Sequence, residues 1–225
     1  MDVKWSDELI AVVLGDARPS AELERRLNTD EGRRELGAYR RALGMLNTLY
    51  GDEAVSRSKR AVYYTSLRTP VGRLLIAATG AGLVRVSFDV SEMAFAADLR
   101  QRLKIDVVKS PEKMAGIVSQ IEEYFAGKRR AFDIPVDLSK ATPFQRSVLM
   151  AARRVPAGQV VSYHEIARRI GRPEASRAVG QALGHNPVPI VIPCHRVVPS
   201  SGGLGGYMGG VRVKEKLLEL EGARG

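Results

Sequence analysis

Thiol and imidazole groups are scarce in this chain of 225 residues, which carries one cysteine, Cys194, and three histidines, His164, His185 and His195. A single thiol cannot close an intrachain disulfide, so the fold does not rest on an oxidising compartment. Cysteine-rich zinc modules are excluded with it, because their ligands do not exist in the sequence, and no metal or other cofactor is expected. Apolar runs are short, none nearing the roughly 18 residues of a membrane helix. The start, Met1-Asp2-Val3-Lys4-Trp5, lacks the basic stretch and apolar core of a secretory signal. The expectation is a cytoplasmic protein that makes no membrane contact. Acidic residues are also in deficit: 25 Asp plus Glu face 35 Lys plus Arg, a net charge of +10. That excess favours polyanionic partners, nucleic acid first and an acidic membrane surface second, although ordinary solubility explains it as well.

What is present is enough for one large domain or two small ones, with 44% hydrophobic residues. The first fifty residues read as helical, with Leu23, Leu27, Leu36, Tyr39, Leu43 and Leu46 at roughly helical spacing. Asn28-Thr29-Asp30 marks a break and a fresh helix start. This segment faintly resembles the helical start of anti-sigma-factor-type regulators but lacks their Cys and His metal ligands, which leaves an accessory bundle or docking arm. Polar residues from Gly51 to Arg60 form a linker.

Texture changes at Ala61. Val62–Thr65, Leu74–Ala78 and Leu83–Phe88, separated by Thr69-Pro70-Val71-Gly72 and Gly80-Ala81-Gly82, predict a three-stranded antiparallel meander. Helices are expected over Met93–Leu103 and Pro111–Phe125, and Ile134–Leu138 is a short extended piece. Beyond it the chain turns helical. Thr142-Pro143 starts a helix through Arg153, with proline where its missing N–H costs nothing. Ser162 is placed to cap Tyr163–Ile170, and Glu174–Leu183 follows across Gly171-Arg172-Pro173, making a helix-turn-helix candidate. The second of these helices is rich in small residues, Ala175, Ser176, Ala178, Gly180, Ala182 and Gly184. Glycine inside a helix costs about 1 kcal/mol against alanine, so the run implies close approach, either to a neighbouring helix or to DNA. Arg177 on the same element tips the balance toward DNA.

Cys194 follows the apolar run Val188-Pro189-Ile190-Val191-Ile192-Pro193, read here as a strand. Most lone cysteines are inert and buried. His195 and Arg196 alongside favour a nucleophile, since cationic or proton-accepting neighbours enrich the thiolate.

Residues 142–222 resemble the catalytic domain of O6-alkylguanine-DNA alkyltransferases, the methylated-DNA–protein-cysteine methyltransferases. The likeness lies in Thr142-Pro143-Phe144-Gln145-Arg146, Val161-Ser162-Tyr163, Ser176-Arg177-Ala178-Val179-Gly180, Asn186 through Val198 with Pro193-Cys194-His195-Arg196 at its centre, Gly205-Gly206-Tyr207-Met208-Gly209-Gly210 and Lys214 through Glu221, all in order. The resemblance implies an α+β fold. It has a small ribonuclease-H-like domain carrying the three-stranded sheet at 61–138 and a helical, winged-helix-like catalytic domain with the helix-turn-helix at 139–225. The helical extension and linker at 1–60 lie outside it.

The resemblance also implies roles. Cys194 is the alkyl acceptor, His195 the base that takes the thiol proton through a water, and Glu221 the carboxylate that orients the imidazole. Asn186 braces this network, and Tyr163 reaches the guanine. Arg177 fills the stack vacated by an extruded nucleotide, and Ser176, Ala178 and Gly180 belong to the helix that enters the minor groove. Pro193, Val197, Tyr207, Met208 and Gly209 form the base pocket. The family often has a small hydroxyl residue where Met208 stands, which puts the size of acceptable alkyl group in question. The expected activity is single-use transfer of an alkyl group from O6-alkylguanine, or from O4-alkylthymine, in double-stranded DNA by a monomer. Three rivals stand beside it: a non-catalytic lesion-binding relative, which would lack Cys194; a Cys-His hydrolase, for which no segment speaks; and a transcriptional regulator.

Overall fold

The computed structural model of the protein describes residues 20–38 and 61–223. The chain falls into two compact units, Met1–Ser58 and Lys59–Gly225. In the first, α1 (Ala21–Leu27) is capped by the Ser20 hydroxyl, which accepts from the Leu23 amide, and buries Leu23. A second helix, α2, begins at 30, as the Asn28-Thr29-Asp30 break predicts, and is described to 38. Tyr39, Leu43, Leu46 and the expected linker from Gly51 to Arg60 lie outside the described residues.

The second unit is α+β. Strands β1 (Val62–Thr69), β2 (Gly72–Thr79) and β3 (Gly82–Phe88) form the expected antiparallel meander. The sheet is not three-stranded, however. β4 (Val107–Lys109) joins it parallel to β1, giving the order β3-β2-β1-β4. Three residues between two helices are too few to show an alternating pattern, which is why this strand is silent in the sequence.

Strand alternation divides β2 between two cores. Leu74, Ile76 and Ala78 face one side, where Val86 of β3 joins the larger core; Leu75 and Ala77 face the other, with Val62 and Tyr64 of β1. α3 (Glu92–Leu103), capped by Ser91, covers the second side through Phe95, Ala96 and Leu99. α4 (Pro111–Phe125) has Ser110 as its cap and proline in its first turn, and it brings Met114, Ile121 and Tyr124 to the larger core.

That larger core is continuous with the C-terminal helices. α5 (Pro143–Arg153), capped by Thr142, contributes Val148, Leu149, Ala151 and Ala152. α6 (Tyr163–Arg169) is capped by Ser162 and ends at Gly171 with φ +70°, a left-handed residue that lets the chain turn back. A 3₁₀ turn, Pro173–Ala175, leads into α7 (Ser176–Gly184), and α8 (Val211–Leu220) closes the chain. α7 buries Val179, Ala182 and Leu183 and packs on both α5 and α6.

Two devices hold the segment around Cys194. β5 (Val161–Ser162) pairs in parallel with β6 (Val197–Val198), so Tyr163, which follows β5, is brought beside the turn that precedes β6. On the far side the Val86 amide of β3 donates to the Pro187 carbonyl at 2.8 Å, tying the sheet to the start of that turn. The expected strand from Val188 to Ile192 does not form. Those residues make a buried turn in which the Ile192 amide donates to the Val188 carbonyl at 3.0 Å and Ile190 adopts φ +75°. Pro189 and Pro193 have no amide to give a ladder, and complete burial, which imitates a central strand in the sequence, here belongs to a compact loop.

Candidate active site

Asn186, fully buried, organises the turn from within. Its Oδ1 accepts from the Val188 amide at 3.0 Å, and its Nδ2 donates to the Ile192 carbonyl at 2.8 Å and to Cys194 Sγ at 3.1 Å. Three bonds from one side chain fix where the thiol stands. The next three residues, Cys194–Arg196, form a single 3₁₀ turn that sends neighbouring side chains in different directions.

His195 points into the interior and meets Glu221 at the end of α8, with Nε2 at 2.9 Å from Oε1. Arg196 holds the same carboxylate with two prongs, Nε to Oε2 at 2.9 Å and Nη2 to Oε1 at 2.8 Å, and its third nitrogen donates to the Val155 carbonyl. The Tyr124 hydroxyl of α4 adds a bond to Oε1 at 2.7 Å, and Arg130 donates to the Glu221 main-chain carbonyl at 3.0 Å. Burial alone would raise the Glu221 pKa, but the His195 and Arg196 bonds prevail and hold it at about 2. An ionised carboxylate only accepts, so His195 carries its proton on Nε2. Burial also pushes the imidazole below its ordinary value, keeping it neutral, and leaves Nδ1 buried with no hydrogen-bond partner among the described residues.

Cys194 is 7% exposed. Burial raises its thiol pKa, against the opposing pull of the Asn186 amide, the Lys214 charge and Tyr207. The resting sulfur is therefore a thiol, and its attack on any electrophile needs a base. Lys214, 1% exposed on α8, donates to the Val197 carbonyl at 2.7 Å and to the Leu204 carbonyl at 2.5 Å, clamping the 199–210 loop to β6. Desolvation lowers its pKa to about 8. The Tyr207 hydroxyl is buried beside the sulfur without meeting hydrogen-bond geometry, and its ring stands edge-on to His195, centroids 6.4 Å apart.

A cleft of about 770 Å³ opens onto the thiol, walled by Tyr163, Arg177, Gly180, Leu183, Tyr207 and Met208. Ser176 and His164 stand at its edge. Gly180 brings α7 over the Tyr163 ring, where an added Cβ would sit 3.9 Å away. Gly205, at φ +66°, passes the Tyr163 hydroxyl so closely that a Cβ would lie 3.2 Å from it. Burial, and then the negative charge the sulfur gains when it ionises, raise the Tyr163 pKa, keeping the phenol a proton donor. Arg177 is exposed and bonds to nothing among the described residues, so its side chain is available for a partner.

Of the residues singled out in the sequence, Asn186 bonds the Cys194 sulfur, Tyr163 shares its cleft, and His195 and Glu221 pair with each other in the interior beside that turn. Arg177, Ser176, Gly180, Tyr207 and Met208 line the cleft. Ala178 faces the adjoining groove with Gln181 and Met208. Pro193 backs the turn on its opposite side. Val197 is buried with its carbonyl engaged by Lys214, and Gly209 lies against Phe88, whose ring atoms would be 3.0–3.2 Å from a Cβ there. Tyr124 and Lys214 escape a sequence reading as site residues, and Arg196, expected to favour the thiolate, instead holds Glu221. Lys214 sits inside the quoted motifs, but only its bonds give it a role, and Tyr124 carries no signal at all.

Two family models match the second unit. Residues 62–138 match the 6-O-methylguanine DNA methyltransferase ribonuclease-like domain, and residues 143–223 match the DNA binding domain of the same family. The methylated-DNA–protein-cysteine methyltransferase of Mycobacterium tuberculosis is 40% identical over 163 residues, covering 72% of this chain and 94% of that protein. That of Methanosarcina acetivorans is 39% identical over 166 residues, covering 72% and 99%. Among solved structures, the Mycobacterium tuberculosis OGT in complex with DNA superposes with a TM-score of 0.62 at 40% identity, over 71% of this chain and 92% of that one.

Proposed function

This chain belongs to the 6-O-methylguanine DNA methyltransferase family, and we propose that it performs direct-reversal repair by moving the alkyl group of O6-alkylguanine in double-stranded DNA irreversibly onto Cys194. The observation that carries the reading is a thiol held by Asn186 and lining an open cleft, with the buried His195–Glu221 pair next to it in the same turn.

The chemistry divides among the residues as follows. The thiol proton passes through a water to His195 Nδ1, the one ring nitrogen that Glu221 leaves free. Ionised Glu221 offsets the charge that the imidazole gains. Sulfur then attacks the alkyl carbon, forming the S–C bond as the C–O6 bond breaks, and the electron pair leaves with the guanine. The Tyr163 phenol, kept protonated by burial, hydrogen-bonds the departing base. No step restores the thiol, so one molecule repairs one lesion.

A base stacked in a duplex cannot reach a buried sulfur, so the nucleotide is extruded into the cleft, at a cost of a few kcal/mol. Arg177 occupies the vacated stack. α7, with Ser176, Ala178 and Gly180 small enough for close approach, enters the minor groove, whose degenerate pattern suits a protein indifferent to flanking sequence. Pro193, Val197, Tyr207, Met208 and Gly209 surround the extruded base, directly or through the segments they support. In finer terms we read 61–138 as a ribonuclease-H-like domain and 139–225 as a winged-helix-like catalytic domain, with 1–60 an appended helical segment. We read the acting unit as a monomer, since one copy supplies every named side chain, and its place as the cytoplasm.

Incubation with duplex DNA carrying O6-methylguanine, followed by intact mass and peptide mapping, tests the assignment. The expected result is one methyl gain, on the peptide holding Cys194, and none in Cys194→Ala. A gain elsewhere, or one that persists in Cys194→Ala, overturns it.

A further inference from the structure

Behind the Cys194–Arg196 turn, on the side away from the cleft, lies a cavity of about 210 Å³ lined by Arg130, Arg153, Arg154 and Arg196 with Phe132, Pro193 and a few neighbours. No Asp or Glu lines it. Arg196 is neutralised by Glu221. The other three have no carboxylate partner among the described residues. Arg130 donates to the Glu221 carbonyl at 3.0 Å, Arg153 to the Ile134 carbonyl at 2.8 Å and the Phe132 carbonyl at 3.5 Å, and the Arg154 side chain to no described residue. Arg129, next in the chain to Arg130, is by contrast paired with both Glu123 and Asp133.

The carbonyl bonds fix the direction of Arg130 and Arg153 without cancelling their charge. Arg130 and Arg154 are exposed and Arg153 half-buried, and among the described residues no carboxylate offsets the three charges that line this depression. A guanidinium is weakly hydrated and presents paired N–H donors that match the oxygens of a tetrahedral anion. The volume equals that of about seven waters and is below the range of drug-sized pockets, so the occupant is a small group.

We propose that this cavity is an anion site for a phosphate group, either inorganic phosphate or the terminal phosphate of a nucleotide, held by Arg130, Arg153 and Arg154. Its lining shares no residue with the cleft at Cys194, so it is separate from the DNA contacts proposed above.

The test uses the full chain. Thermal unfolding and isothermal titration calorimetry are run with inorganic phosphate against chloride at matched ionic strength and pH, then with adenosine monophosphate to separate the free ion from the esterified group. Phosphate should raise the melting temperature saturably beyond chloride, with one site per chain. Arg154→Gln, which removes no bond of the fold, should weaken phosphate about tenfold, the loss of one charge-assisted contact, while its melting temperature in chloride and its rate of methyl transfer stay unchanged. Arg130→Gln should weaken phosphate similarly. Arg177→Ala should leave phosphate affinity intact. Equal effects of phosphate and chloride, an affinity untouched by Arg154→Gln and Arg130→Gln, or one abolished by Arg177→Ala would each overturn the proposal.

Discussion

His195 Nε2 and Glu221 Oε1 stand 2.9 Å apart, 26 positions apart in the chain, with both side chains withdrawn from solvent. The pair joins the turn carrying the thiol to the end of α8, and Arg196 and Tyr124 close on the same carboxylate from two further directions. Four donor bonds compensate the burial of one negative charge, which is the condition for keeping a charge in a protein interior. The carboxylate thus orients the imidazole and staples the C-terminal helix to the core.

Acid should dissolve this arrangement. Glu221 titrates at about 2 in the folded chain and near 4.5 when unfolded, so its stabilisation is complete above 4.5 and is lost as pH falls toward 2. The imidazole, whose folded value is depressed by burial, works in the same direction: the unfolded chain takes up its proton first as pH falls through about 6.5. Stability should therefore decline below neutrality and fall more steeply below pH 5. Glu221→Gln should lower stability at pH 7 by about 3 kcal/mol and flatten the acid limb. Urea unfolding at a series of pH values checks this; an unchanged acid limb in Glu221→Gln would refute it.

Asn186 offers a sharper probe of the sulfur. Asn186→Ala strands the Val188 amide in the interior, takes from the Ile192 carbonyl one of its two donors (the Cys194 amide remains, at 2.8 Å) and should cost on the order of 2 kcal/mol. Asn186→Asp keeps the size but replaces a donor to Sγ with a negative charge, raising the thiol pKa further. The rate of Cys194 alkylation by iodoacetamide, followed against pH, should shift to higher pH in the Asp variant. Overlapping profiles would show that the 3.1 Å contact does not tune the thiol.

Lys214 is expected to act through position and charge. Lys214→Met leaves the Val197 and Leu204 carbonyls without their donor and removes the positive charge that favours the thiolate. Methyl transfer should slow at least tenfold and the iodoacetamide profile should move upward, with a stability loss of about 2 kcal/mol. A stability loss alone, with the profile unmoved, would reduce Lys214 to a loop clamp.

What the sequence reveals of this site follows from how local each feature is. Helix starts at Thr142 and Ser162 are written in adjacent residues, and each forms as expected. Pro193-Cys194-His195-Arg196 is likewise contiguous. The run from Val188 to Ile192 misleads because burial is visible in composition while the path of the backbone is not. Ile190 takes a left-handed φ that a β-branched residue rarely adopts, held by bonds to Asn186 and within the turn. Tyr124 reaches Glu221 across 97 positions, and no local pattern marks such a meeting.

Arg177, exposed at the cleft edge, should separate DNA handling from chemistry. Arg177→Ala is expected to slow repair of O6-methylguanine in duplex by at least tenfold while changing the reaction with free O6-benzylguanine less than twofold. Its duplex affinity should also lose salt dependence by about one unit of slope if the guanidinium displaces a counterion. Equal losses on duplex and free base would remove Arg177 from the extrusion step.

Met208 decides how much room the alkyl group has. It is 41% exposed and stands where the cleft meets the groove lined by Ala178 and Gln181, so its flexible thioether can lie across the mouth of the pocket. The neighbouring Gly209 packs on Phe88, which anchors the backbone and leaves the Met208 side chain as the variable part of the wall. Met208→Ser shortens that wall without disturbing Lys214 or Tyr207. The ratio of reaction rates for O6-benzylguanine over O6-methylguanine should rise severalfold, chiefly through faster reaction of the benzyl compound. Because the substitution touches neither the thiol nor His195, the pH dependence of methyl transfer should be the same in both proteins. An unchanged ratio would mean that the pocket ends before Met208 and that Tyr163 and Tyr207 alone set its size.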